Sequence, residues 1–259
     1  MNTLQIVLLG LVAGGTIFLG LPIARVKNPP RTLQSFLNAL ATGILFFLLV
    51  DVLSESIEKV NDATPRVNGP SHPIGPFAAD LAALLGGLAI GLLALVIFER
   101  RFLRGEPGST PSGVKLGYMI ATGIGLHNFS EGLAIGQSAT AGEIQLAVLL
   151  IIGFGLHNMT EGFGISAPLA GSASWGFVGL AGLIGGGPTF LGTLVGVLYN
   201  STFVFILFLS LAGGSIIYVL SQLLPMLRRA PAMELAMTGL VVGFSVAYVT
   251  DLVLIGAGA

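Results

Sequence analysis

The 259-residue chain has no cysteine, one tryptophan, three histidines and few charges. Without thiols it can form no disulfide and offers no thiolate to a metal, which argues against a dedicated copper(I) site; its six methionines are the only sulfur ligands left. Charged residues make up 9% of the chain, against about 25% in an ordinary soluble domain. Hydrophobic residues make up 54% and the mean hydropathy is +0.93. These values describe an integral membrane protein with little mass outside the bilayer. A net charge of −1 leaves no basic surface for nucleic acid. The opening MNTLQ has no positive charge, and the apolar run continues to Ala24 without a small-residue cleavage site, so this segment reads as an uncleaved helix.

Spans of about 20 apolar residues cross a bilayer. The sequence predicts eight: 3–24, 33–57, 77–99, 114–138, 143–169, 175–198, 201–224 and 233–256. They form a single transmembrane domain over residues 1–259, with a cytoplasmic loop at about 100–113. Under this count Arg25, Lys27, Arg31, Arg100, Arg101, Arg104, Lys115, Arg228 and Arg229 fall on one side, and only Lys59 and Arg66 on the other. Basic loops stay in the cytoplasm. The bias predicts a multi-pass protein of the cell membrane with both termini outside.

Polar residues inside so apolar a chain are few, and they repeat. GLHNFSEG at 125–132 returns as GLHNMTEG at 155–162, each copy within a predicted span. An acidic side chain at a helix centre costs about 2.5–3.5 kcal/mol on insertion scales, and it persists where it faces a protein interior and binds something. Residues i and i+4 share a helix face, as do i and i+3. His127, Asn128 and Glu131 therefore converge, and His157, Asn158 and Glu161 repeat the arrangement. Two such helices face to face supply imidazole nitrogens, carboxylates and amide oxygens. That donor set suits Zn²⁺, and also Fe²⁺, Mn²⁺, Co²⁺ or Cd²⁺; two imidazoles tilt it toward zinc. The ion is read as transported substrate, with no cofactor. Asn in second place separates the motif from the H-E-x-x-H of zinc proteases, whose general-base glutamate is missing here.

The two motif spans run in opposite directions. Spans 1–3 and 6–8 could flank them as an inverted repeat, an arrangement that places a transported ion near the midplane. In the sixth span, GLIGGGPTF brings Gly187 and Pro188 together; proline removes a helical hydrogen bond, so these residues are a candidate helix break. Asp51, Glu55 and Glu58 share a face near the outer end of the second span, and Asp51 and Glu55 are a candidate cation entrance. Asn38, Asp80, Asn200, Ser201, Gln222 and Asp251 each read as an interhelical hydrogen bond or a helix end. His72 reads as an exposed loop residue.

HNFSEG followed by HNMTEG on consecutive spans resembles the signature of the ZIP (Zrt/Irt-like) divalent metal transporters, of the prokaryotic type. The resemblance extends over nearly the whole chain. It implies an all-α fold of eight helices, metal movement toward the cytoplasm by alternating access, ligands on helices four and five, and frequent homodimers in the lipid bilayer. Carried over, the ligands are His127, Asn128 and Glu131 on the fourth helix and His157, Asn158 and Glu161 on the fifth. This chain departs from the usual pattern at Ser130, where many members have Pro, and at Gly187, where many have Glu. It departs again at Ser221 and Gln222, where many have His-Glu, and its 99–115 loop lacks a histidine cluster. The competing reading is an intramembrane metal-dependent hydrolase, which would need a general base beyond the ligands.

Overall fold

The computed structural model describes residues 3–25, 30–65, 73–98, 100–101, 113–140, 155, 158–169 and 173–257. Among these the regular structure is helical. The first span is bent: α1 (Thr3–Gly15) passes through Thr16, whose hydroxyl donates to the Ala13 carbonyl at 2.7 Å, into α2 (Ile17–Gly20) and a 3₁₀ turn, Leu21–Arg25. The remaining helices are α3 (Arg31–Asp62), α4 (Ile74–Phe98), α5 (Gly113–Thr140), α6 (158–166), α7 (Trp175–Leu198), α8 (Thr202–Leu227) and α9 (Met233–Ala257).

Six of the described segments are long and apolar enough to cross a membrane: Thr3–Arg25, Arg31–Asp62, Ile74–Ile97, Trp175–Leu198, Thr202–Leu227 and Met233–Leu252. The predicted fourth span is α5, 28 residues long. Its Lys115, His127, Asn128, Ser130, Glu131 and Gln137 lower its hydropathy. Most of the predicted fifth span lies outside the described residues. Helix α3 extends beyond the predicted 33–57. Its 32 residues measure about 48 Å, well over the ~30 Å hydrocarbon thickness. Hydropathy marks only the apolar stretch, whereas Glu58, Lys59 and their neighbours continue the same helix into water.

The helices pack as two groups. In one, α7 packs extensively on α5 and also on α1; in the other, α3 packs on α9 and α8, and α4 on α8. Contacts between α5 and α8 join the groups, with the rings of Phe129 and Phe208 stacked 4.1 Å apart. A shared apolar core includes Leu45, Leu48, Ile120, Ile124, Ile165 and Ile216.

Within a bilayer, lipid tails are as apolar as the side chains, so close packing rather than water exclusion holds helices together. The α5–α7 contact depends on glycine from both sides. A Cβ on Gly132 would lie 2.2 Å from the Thr189 carbonyl oxygen, and one on Gly192 would lie 2.1 Å from that of Phe129. Neither backbone can yield without separating the helices. Gly192→Val is expected to lose at least about 1–3 kcal/mol, the usual cost of overpacking. The measurement is the thermal midpoint of detergent-purified protein; Gly187→Ala, where a Cβ would meet nothing within 4 Å, serves as control.

The break expected at Gly187–Pro188 does not form. Helix α7 is continuous from Trp175 to Leu198 with Pro188 inside it. The lost hydrogen bond would have run to the Ile184 carbonyl, four residues back. Gly125 of α5 packs against that same oxygen, where its own Cβ would lie 2.2 Å away. Interhelical packing holds the turn in place.

The end of the first span meets the start of α7. Arg25 Nη1 donates to the Ala173 carbonyl at 2.9 Å, and the guanidinium carbon lies 5.3 Å from the centre of the Trp175 ring. The two ends therefore sit on one side, as the eight-span reading requires of them.

Candidate metal centre

The motif side chains lie deep in the protein. Asn128, Asn158 and Glu161 are completely buried, and His127 and Glu131 are each 4% exposed. Helix spacing explains the first contact: His127 Nε2 and Glu131 Oε1, one turn apart on α5, are 3.3 Å apart. The other Glu131 oxygen, Oε2, accepts a hydrogen bond from Asn158 Nδ2 of α6 at 3.3 Å. Asn158 Oδ1 in turn accepts a hydrogen bond from Asn128 Nδ2, which also donates to the Gly185 carbonyl of α7 at 3.0 Å. An unbroken polar chain thus runs from His127 through Glu131, Asn158 and Asn128 to the α7 backbone. Glu161 lies within electrostatic reach of Glu131, His127 and Asp51.

Five of the six expected ligands are therefore brought to one region, and His157 lies outside the described residues. Among the described residues, no three His, Asp or Glu side chains converge tightly enough to hold an ion by themselves. The two asparagine amides lie among the carboxylates and are bonded to each other. Their carbonyl oxygens are suitable hard ligands, but the Asn158 oxygen is engaged by its partner amide.

The second-span carboxylates are not a simple solvated helix end. Asp51 and Glu55 are half-buried and interact electrostatically with His127, whereas Glu58, on the same helix, is exposed. Asp251 joins them. It is half-buried on α9 and interacts with both His127 and Asp51. Taken by itself it reads as a helix end, because its partners are about 120 and 200 residues away in the chain. The available signal is topological: in the eight-span reading, spans two and eight end on the same side, so their terminal acids can meet. Among the remaining polar positions, Ser201 caps α8 by accepting from Val204 N at 3.3 Å. His72 lies outside the described residues.

No family model matches the chain. It is 33% identical over 209 residues to the zinc transporter GufA of Myxococcus xanthus, a match covering 78% of this chain and 82% of that protein. The chain belongs to the ZIP family. Within this ZIP chain the buried His–Glu–Asn–Asn array is the densest concentration of metal-ligand chemistry among the described residues. Two carboxylates removed from water need a cation or a proton to offset the lost hydration.

Proposed function

We propose that this chain is a divalent metal transporter, with zinc the leading substrate, and that it moves the ion toward the cytoplasm through a site on α5 and α6. One observation carries the reading: imidazole, carboxylate and amide donors from two helices are linked in a single buried array. The hydrolase alternative would have to take its base from the neighbouring acids, and no observation favours it over transport.

In this mechanism a hydrated ion first meets Asp51, Glu55 and Asp251, whose charge offsets the early loss of water. His127 lies next to these acids and also contacts Glu131, so it can pass the ion inward. At the centre the Asn128–Asn158 bond opens, and the amide oxygens turn to the ion beside Glu131 and Glu161. His157, which precedes Asn158 in the sequence, completes the donor set. Alternating exposure of this site, with spans 1–3 and 6–8 acting as an inverted pair, then releases the ion on the far side.

Zinc flux into sealed liposomes carrying the purified protein tests the reading. Accumulation well above protein-free liposomes is expected, and none would remove it. Protons compete with the metal for imidazole and carboxylate, which bind only when deprotonated. Flux is therefore expected to fall as the outer medium is taken from about pH 7.5 to about pH 5.5. A rise over that interval would mean that ligand protonation does not limit uptake.

Both termini face outward in this reading, and Arg100–Arg104 lies in the cytoplasm. Since the chain has no cysteine, Ser109→Cys introduces one reactive thiol. An impermeant maleimide should label it only after cells are opened. Labelling of intact cells would reverse the orientation and, with it, the direction of transport.

A further inference from the structure

We infer that the cleft between the end of α8 and the start of α9 binds one anionic phospholipid, with an acyl chain in the cleft and the headgroup phosphate on Arg228. A cavity of about 250 Å³ is lined there by Leu224, Leu227, Arg228, Met233 and Met237. Four of the five side chains are apolar and the fifth is a guanidinium. Leu227 is buried and forms the floor, where it packs with Ala39 of α3 and Ala236 of α9. Leu224, Met233 and Met237 form open walls, 38%, 43% and 40% exposed. The cleft is thus an apolar trough with a firm base, open to the surroundings of a membrane-embedded chain.

The charge at its rim selects the headgroup. Arg228 sits at the end of α8, with its backbone N–H bonded to the Leu224 carbonyl, and Arg229 follows it. Both are exposed, and among the described residues no carboxylate pairs with Arg228. Helix α9 begins four residues later, so the amide groups of its first turn open at the same junction, and a helix N-terminus favours an anion. Glu234 opposes this, but two arginines against one glutamate leave the rim cationic. Basic pockets between transmembrane helices bind anionic headgroups in this way. Methionine walls adapt to chains of different shape.

The test uses the full chain in phosphatidylcholine vesicles doped with a photoactivatable phospholipid bearing a diazirine on its acyl chain. The phosphatidylglycerol form should label the 224–237 peptide at least about five-fold more than the phosphatidylcholine form, which corresponds to one arginine–headgroup contact near a membrane surface. Arg228→Gln should remove that preference. Met237→Trp, which fills the trough, should reduce labelling by both lipids. Both positions are exposed, so folded, monodisperse protein is expected for each variant. Equal labelling by the two lipids, or an unchanged preference in Arg228→Gln, overturns the inference. So does competition by inorganic phosphate, which would mean that a free anion suffices. A Met237→Cys variant that oxidises in high yield to a disulfide dimer would show that a second copy of the chain covers the cleft, and would overturn it as well. Zinc flux is not a readout here, so the two readings stand or fall separately.

Discussion

Liposomes carrying a Glu131→Ala, Glu161→Ala double variant should take up zinc at least about 100-fold more slowly than wild type. Changes to groups that merely support a metal ligand cost about 10–100-fold in affinity, and these two carboxylates are the only described acids within the buried array itself. The variant should still insert, because removing a buried acid lowers the cost of placing α5 and α6 in the membrane. Glu131→Gln separates charge from shape. It keeps an oxygen for Asn158 Nδ2, and its own amide would face the His127 nitrogen, so the array can stay closed while the charge is lost. It should reduce flux nearly as much as Glu131→Ala. Uptake at the wild-type rate by a well-expressed double variant would move the transport site away from α5 and α6.

One tightly held zinc per chain is the second expectation. A two-metal centre places its ions about 3.5–4 Å apart. At that distance two unit charges interact by about 4 kcal/mol at an effective dielectric constant of 20, so two dications repel by roughly 16 kcal/mol. Glu131 and Glu161 would each attract a second ion by about 8 kcal/mol on the same scale. Attraction and repulsion then cancel, and the loss of water from the second ion is left uncompensated. Asp51, Glu55 and Asp251 also act on Glu131, and Asp51 on Glu161, but they are only half-buried, so water screens their pull on a second ion more than that of the buried pair. They can hold an ion loosely on its way in. Gly187→Glu is expected to raise the stoichiometry toward two if its carboxylate turns inward to Glu131 and Glu161, since its Cβ meets nothing within 4 Å and a third carboxylate then tips the balance. Elemental analysis with anomalous diffraction measures both proteins. Two fully occupied ions between α5 and α6 of the unaltered chain would show that the charge count is wrong.

The motif and the membrane character were legible in the sequence because both depend on local properties. Hydropathy follows from composition over a window of about 20 residues. The His127–Glu131 contact follows from the pitch of one helix. Neither requires knowledge of what lies across the bundle. The reach of α3 to Asp62 was not legible for a related reason: an apolar window stops where the apolar residues stop, while helical hydrogen bonding does not.

Other features depended on partners distant in the chain, and tertiary structure decided them. Pro188 reads as a break, yet α7 stays continuous because α5 packs its Gly125 against the carbonyl that proline leaves unbonded. Asp251 reads as a helix end, yet α9 lies beside α3 and places it with Asp51 and His127. Asn128 and Asn158 read as ligands pointing at an ion, and the fold bonds them to each other. The sequence by itself determined which polar residues repeat at helical spacing within an apolar environment, because those properties are local and periodic. Only the packing of α5, α6 and α7 decided which of those groups touch, because an interhelical contact depends on the surface each helix meets.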